Sequence, residues 1–169
     1  MAENRLCVLA EFDRTTQLKL RELQQRLRES GFKGTQNTRD VPYHMTLGLY
    51  APGRERELHA RMNEACDGLA VFDVVLNHLG LFGLEVLFMA PAPSRELLRL
   101  RERFDLNCVE DAHIWTPHVT LLMESSKEHV LGALPVAAEH FSVIHARVER
   151  ISLFRFWPAQ RLATCTLIQ

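Results

Sequence analysis

Apolar positions fall in short runs between polar, glycine or proline breaks, and the period inside the runs switches between two values. Residues 6–12 form a nearly continuous apolar run of strand length. Thr15 or Thr16 is positioned to cap a helix that carries Leu20, Leu23 and Leu27 on one face and stops at Gly31. Residues 32–42 are polar, with Gly34, Asn37 and Asp40, and read as an exposed loop. Alternation returns in Tyr43-His44-Met45-Thr46-Leu47-Gly48-Leu49, a strand broken by Pro52-Gly53. Leu58, Met62 and Ala65 then mark a second helix that ends near Gly68. Residues 71–81 read as a strand. Gly83 turns it into a fully apolar strand over 84–89, expected to be buried on both faces.

The order then repeats. Pro91 and Pro93 break the chain, and Ser94 caps a helix with Leu97, Leu98 and Phe104 inward. Residues 107–116 read as a loop leading into Trp115-Thr116-Pro117-His118-Val119-Thr120-Leu121-Leu122. Ser125 or Ser126 opens a short helix to about Leu134. A long strand region follows over 141–156, and Trp157-Pro158-Ala159-Gln160 turns it into a last strand over 162–168. Strand, helix, strand, helix, strand therefore occurs twice. The expected fold is α/β (α+β): one domain over 1–169, made of two pseudo-twofold β-α-β-α-β lobes. The repeat halves are approximately 1–82 and 83–156, with mostly antiparallel sheets facing a central groove.

The third element of each half holds the same tetrad, His44-Met45-Thr46-Leu47 and His118-Val119-Thr120-Leu121, 74 positions apart. Strand side chains alternate faces, so each His shares a face with its Thr, about 6.6 Å away along the strand. Met45, Leu47 and Leu49 are expected on the opposite, core face, as are Val119, Leu121 and Met123. A lone His on a strand is more often a structural residue. Two copies in matching strands point to a functional pair, with both imidazoles and both hydroxyls converging on one spot.

Composition narrows the setting. Apolar residues make up 47% and charged residues 24% of the 169, as in an ordinary globular domain. The net charge of −1 gives no global pull toward nucleic acid or an anionic membrane, so a polyanion would need a local patch. One candidate is the segment from 145 to 169, where Arg147, Arg150, Arg155 and Arg161 face only Glu149; basic residues there could equally guard a sheet edge. Cys7, Cys66, Cys108 and Cys165 form no C-x-x-C pair and read as buried free thiols of a reducing compartment. The start Met1-Ala2-Glu3-Asn4-Arg5 lacks a signal peptide's basic and apolar regions, and no run is long enough to span a membrane. A cytoplasmic monomer with no obligate protein partner and no cofactor is expected.

Three chemistries compete for such a constellation. A zinc site needs three or four ligands, and neither motif supplies a third. A covalent hydrolase would show a G-x-S-x-G elbow or an activated cysteine, and neither is present. Concerted acid–base catalysis fits better. In-line displacement at phosphorus needs a base behind the nucleophile and an acid at the leaving oxygen, and two imidazoles from opposing lobes meet that demand. The threonine hydroxyls can donate to non-bridging phosphate oxygens.

The paired tetrads resemble the signature of the 2H phosphoesterase superfamily, and within it the 2′-5′ RNA ligase-like and RNA 2′,3′-cyclic phosphodiesterase proteins. The resemblance extends over nearly the whole chain, including the strand at Phe72-Asp73-Val74-Val75-Leu76 and the following Gly80-Leu81-Phe82-Gly83. The final hairpin, with Trp157-Pro158 and no turn glycine, departs from the pattern. The resemblance implies a bilobal fold and metal-independent hydrolysis of 2′,3′-cyclic phosphate ends of RNA or of small nucleotides. It carries His44, Thr46, His118 and Thr120 over as the catalytic set. Cleavage of 2′-5′ oligonucleotides, ligase-like activity and non-catalytic nucleotide binding are the alternatives. Trp115, entering the second motif strand, is a candidate for stacking on a base, and Arg155 for touching a phosphate.

Overall fold

The longest strand ties the two halves together. A computed structural model describes residues 4–34, 41–105, 108, 115–123 and 126–169. Among these, β6 (Ile144–Phe156) pairs through its first residues with β3 (Phe72–Phe82), Ile144 facing Leu76 and Val148 facing Phe72. From Val148 onward it pairs with β1 (Arg5–Phe12), and on its other side with β7 (Gln160–Thr166). The remaining strands are β2 (His44–Tyr50), β4 (Val86–Pro91) and β5 (Val119–Met123). All pairings between these strands are antiparallel, in the order β2-β1-β6-β3-β4-β5, with β7 beside β6. The expected α+β fold with antiparallel pairing is present, but the strands form one seven-stranded sheet in place of separate sheets. Its third strands are exchanged, since β3 extends β4 and β5 while β6 extends β1 and β2.

The two motif strands are therefore the two ends of the sheet path. The sheet curls until β2 and β5 touch, as the right-handed twist of long sheets allows. The Trp115 indole, just ahead of β5, closes the gap by donating Nε1–H to the Thr46 carbonyl of β2 at 2.8 Å.

Four helices cover the outer face. In α1 (Arg14–Glu29), Leu20, Leu23 and Leu27 are buried as the 3.6 period predicts. Its cap is Asp13, not Thr15 or Thr16: Asp13 Oδ1 accepts from the Thr16 N–H at 2.9 Å. Thr16 lies inside the first turn, buried, with Oγ1 accepting the Arg147 N–H. The helix ends at Ser30 and Gly31, whose φ of 97° suits glycine. α2 (Glu55–Cys66) buries Leu58, Met62 and Ala65 as expected. α3 (Arg95–Glu102) is capped by Ser94, and Leu97 and Leu100 point inward. Leu98 does not; it is 50% exposed, because the stripe through 97, 100 and 104 turns position 98 away. α4 (Lys127–Glu139) is capped by Ser126 and continues past 134 through Pro135. The buried stripe Val130, Ala133 and Ala137 carries the helix across the one hydrogen bond proline removes. None of the four cysteines is in a disulfide, but Cys165 is only half-buried.

Along β1 the alternation is strict. Leu6, Val8, Ala10 and Phe12 enter the main core. Cys7 and Leu9 join Phe154 in a smaller cluster on the opposite face, the face that looks into the groove.

Candidate active site

Each motif strand carries a bulge at the same place. On β2, Glu11 faces His44 and Leu9 faces Thr46, but the next β1 residue, Val8, faces Gly48, so Leu47 is the extra residue. On β5, Phe88 faces Thr120 and Leu87 faces Leu122, so Leu121 is extra. A bulge shifts the phase of alternation by one. His and Thr therefore stay on the groove face, the following Leu stays in the core, and the residue five after each His changes sides. Leu49 and Met123, expected in the core, are half-buried and line the groove; Tyr50 and Leu122 are buried instead. Gly48 is required at the first bulge. A Cβ there would lie 2.3 Å from the Tyr50 hydroxyl and under 3 Å from its ring. That ring cannot yield, since it is fully buried and its hydroxyl donates to the Phe104 carbonyl.

His44, Thr46, His118 and Thr120 all line one cavity of about 1250 Å³. The two imidazoles are held alike. His44 Nδ1 lies 2.7 Å from the Pro42 carbonyl and His118 Nδ1 lies 2.8 Å from the Thr116 carbonyl, each two residues back. A carbonyl only accepts, so Nδ1 carries the proton in both rings and the neutral lone pair sits on Nε2. The surroundings differ. Burial lowers the His44 pKa, against the opposing pull of the Pro42 carbonyl and the Glu11 carboxylate, while His118 lowers it further. The His118 ring packs against Phe82, edge to face at 4.7 Å, and against Phe88 at 5.4 Å.

Helix α1 braces both motif strands. Gln17 clasps the Tyr43 backbone, its amide donating to the carbonyl at 2.7 Å and its oxygen accepting the N–H at 2.9 Å. One turn pair later, Gln24 accepts the Tyr43 phenol at 2.7 Å and donates to the Leu121 carbonyl at 3.0 Å. A single side chain thus bridges the strand of His44 and the strand of His118. Burial raises the Tyr43 pKa, with Arg28 and Arg21 pulling it back, so the phenol is a donor at neutral pH.

Among the described residues lining the cavity, seven are Arg or Lys, against one carboxylate, Glu11. Three of the cations, Arg14, Arg21 and Arg28, recur every seven residues and share a stripe of α1 with Gln17 and Gln24. Sequence reasoning missed them, although the heptad spacing was there to be read. The Glu11 carboxylate is buried and takes Arg161 Nη1 at 2.7 Å; the same nitrogen reaches Ser152 Oγ and Thr164 Oγ1.

Arg155 and Trp115 sit elsewhere, and neither is among the described residues that line the cavity. Arg155 faces Leu6 across the β1–β6 ladder and so points to the α2 side, where it pairs with Glu55 at 2.9 Å. A bulge on β7, where Phe154 faces Arg161 and Leu153 faces Ala163, puts Arg161 on the groove face instead. Trp115 is half-buried, with its indole N–H on the Thr46 carbonyl and the Arg101 guanidinium 5.5 Å from its ring. Most of the loop expected at 107–116 lies outside the described residues. Among the described residues, no three His, Cys, Asp or Glu side chains are grouped to hold a metal ion, and no helix is long and apolar enough to cross a membrane.

Comparison with solved structures gives full-length matches at low identity. E. coli LigT in apo form superposes with a TM-score of 0.64 at 16% identity, covering 100% of both chains. E. coli LigT complexed with 3′-AMP gives 0.66 at 16%, covering 99% of this chain and 100% of that one. A protein of Thermus thermophilus gives 0.70 at 16%, covering 96% and 97%. Among curated proteins no sequence matches. The family model of the 2′-5′ RNA ligase superfamily matches residues 12–156. With that match over most of its length, and with the LigT-like arrangement of sheet and helices, the chain belongs to the 2′-5′ RNA ligase superfamily of 2H phosphoesterases.

Proposed function

We propose that the protein is a phosphodiesterase that opens 2′,3′-cyclic phosphates at RNA ends or on nucleotides, using His44 and His118 as an acid–base pair. The observation that carries the reading is the matched orientation of the two rings. Each Nδ1 is committed to a backbone carbonyl two residues back, which leaves Nε2 as the proton-exchanging atom of both, on one cavity. A phosphate between them would have one imidazole behind the attacking water and the other at the leaving ribose oxygen. Burial disfavours the charged form of His44, which suits it to the base, taking the proton of the water as the P–O bond forms. His118 enters as the imidazolium, protonated on both nitrogens, and gives its Nε2 proton to the ribose oxygen as that P–O bond breaks, so the pair ends with His44 charged and His118 neutral. Thr46 and Thr120 donate to the non-bridging oxygens, where charge grows in the transition state. The cationic lining draws in a phosphate ester.

The nucleotide complexes of E. coli LigT, with 3′-AMP, ATP and NADP+, support a nucleotide as the ligand class. The test is a panel of 2′,3′-cyclic mononucleotides, RNA with 2′,3′-cyclic ends and 2′-5′ oligomers, with products separated chromatographically. Ring opening to a monophosphate is the expected result. Cleavage confined to 2′-5′ oligomers would assign the other diester. Nucleotide binding without turnover of any member would replace the enzyme with a binding protein.

A further inference from the structure

The groove continues well beyond the histidines. On the inner face of β1, β2 and β6 the rows run Glu11–His44, then Leu9–Thr46, then Cys7–Leu49 with Phe154, then Arg5–Phe156. Arg5 lies six residues along β1 from the partner of His44 and four from the partner of Thr46. At about 3.3 Å per residue, that is roughly 20 Å and 13 Å. Phe156 stacks on Phe154 with centroids 5.7 Å apart and planes at 16°. Trp157 meets Phe156 edge to face at 4.9 Å. Both rings are half-buried, and they line the same cavity as the histidines, as does Arg5. Among the described residues Arg5 has no ion-pair partner.

Half-buried aromatic rings beside a cation with no ion-pair partner among the described residues, in a groove whose charged lining is mostly cationic, match what a nucleic-acid strand presents. A base offers a π-face of either edge, and stacking tolerates any of the four. The phosphate beside it meets the guanidinium. An acidic peptide would satisfy the charge but not the rings. The rows of Thr46 and of Arg5 with Phe156 are spaced roughly 13 Å apart along β1, which is longer than the phosphate-to-base span of one nucleotide and suits a ligand of more than one. We infer that Phe156, Trp157 and Arg5 form a second site, which stacks a base one or more nucleotides away from the phosphate held at the histidines. The ligand of the groove is then a single-stranded RNA 3′ end and not a free mononucleotide. The inference rests on the proposed placement of the phosphate between His44 and His118.

The probe is a series of 3′-phosphorylated uridine oligomers of one to six nucleotides, with binding to the full chain followed by calorimetry. No turnover is involved. Affinity is expected to rise once the oligomer reaches the platform, by roughly 5-fold to 150-fold for a stacked base. Trp157→Ala should remove that gain and leave the mononucleotide affinity unchanged, while Trp157→Phe retains most of it and guards against a folding defect. Arg5→Ala should lower the salt slope of log K for the long oligomers by about 0.7. Equal affinity of the monomer and the hexamer, or a Trp157→Ala protein with full length dependence, would overturn the inference. Length-dependent binding without hydrolysis of any cyclic phosphate would leave the second site standing and refute the enzyme. Hydrolysis of cyclic mononucleotides without length dependence would do the reverse.

Discussion

Gln24 bridges the strand of His44 and the strand of His118, and replacing it by Leu tests that bracing directly. The substitution keeps the volume near that of glutamine and the helix propensity of α1. It deletes the acceptor of the Tyr43 phenol and the donor to the Leu121 carbonyl, bonds of 2.7 and 3.0 Å. Both partners are part-buried, so water replaces the lost bonds only in part, and each is worth about 0.5–1.5 kcal/mol. The stability loss in urea denaturation should therefore be about 1–3 kcal/mol. The larger effect is on turnover. Without the bridge the strands of His44 and His118 are held across the gap by the Trp115–Thr46 bond and their own contacts, and a misplacement near 1 Å costs on the order of 100-fold in rate. kcat/KM on a 2′,3′-cyclic substrate should fall roughly 10-fold to 100-fold, through kcat more than KM. Tyr43→Phe removes one of the two bonds, and Gln17 still clasps its backbone, so its loss should stay under about tenfold. The two substitutions share a bond, so their effects on stability should fall short of additivity by about 1 kcal/mol. A Gln24→Leu protein with wild-type kcat/KM would refute the bracing role. Wild-type stability would show that the bonds themselves do not form.

Three further outcomes follow from the geometry. The folded-state pKa of His44 is lowered, so below the unfolded value of about 6.5 the unfolded chain binds more protons. Stability should then fall on acidification below that value, at most about 1.4 kcal/mol per pH unit from this group, and denaturation of His44→Asn between pH values of about 7 and 5 should show a shallower slope. Gly48→Ala should destabilise by about 1–3 kcal/mol in the same assay, because the new methyl meets the buried Tyr50 ring. Turnover should survive dialysis against EDTA. Loss restored by a divalent cation would mean that a metal takes part.

The element order and the two tetrads were legible because a single sequence carries both periods plainly. The polar phase of His44, Thr46, His118 and Thr120 and the buried leucines after them needed only alternation. What alternation could not supply is the phase beyond a bulge. Leu49 and Met123 lie on the groove side and not in the core for that reason, and the bulge on β7 likewise puts Arg161 in the groove while Arg155 pairs with Glu55. Asp13 was missed as a cap because it follows β1 without an intervening loop. The exchange of third strands was not legible at all, since β3 and β6 look equally suited to either half. Trp115 shows a different limit: nothing local to the sequence indicates that its N–H meets a carbonyl 69 positions away.

If the two imidazoles act as one unit, steady-state kinetics on the single and double histidine variants will show it. With the best cyclic phosphate substrate, His44→Ala and His118→Ala should each lower kcat/KM by about 10²–10⁴-fold, with circular dichroism and urea midpoints showing a folded chain. The double variant should be little worse than either single one, because residues that act together are not additive. A folded His44→Ala or His118→Ala protein that keeps near wild-type kcat/KM on every substrate the wild type cleaves would refute the two-histidine mechanism.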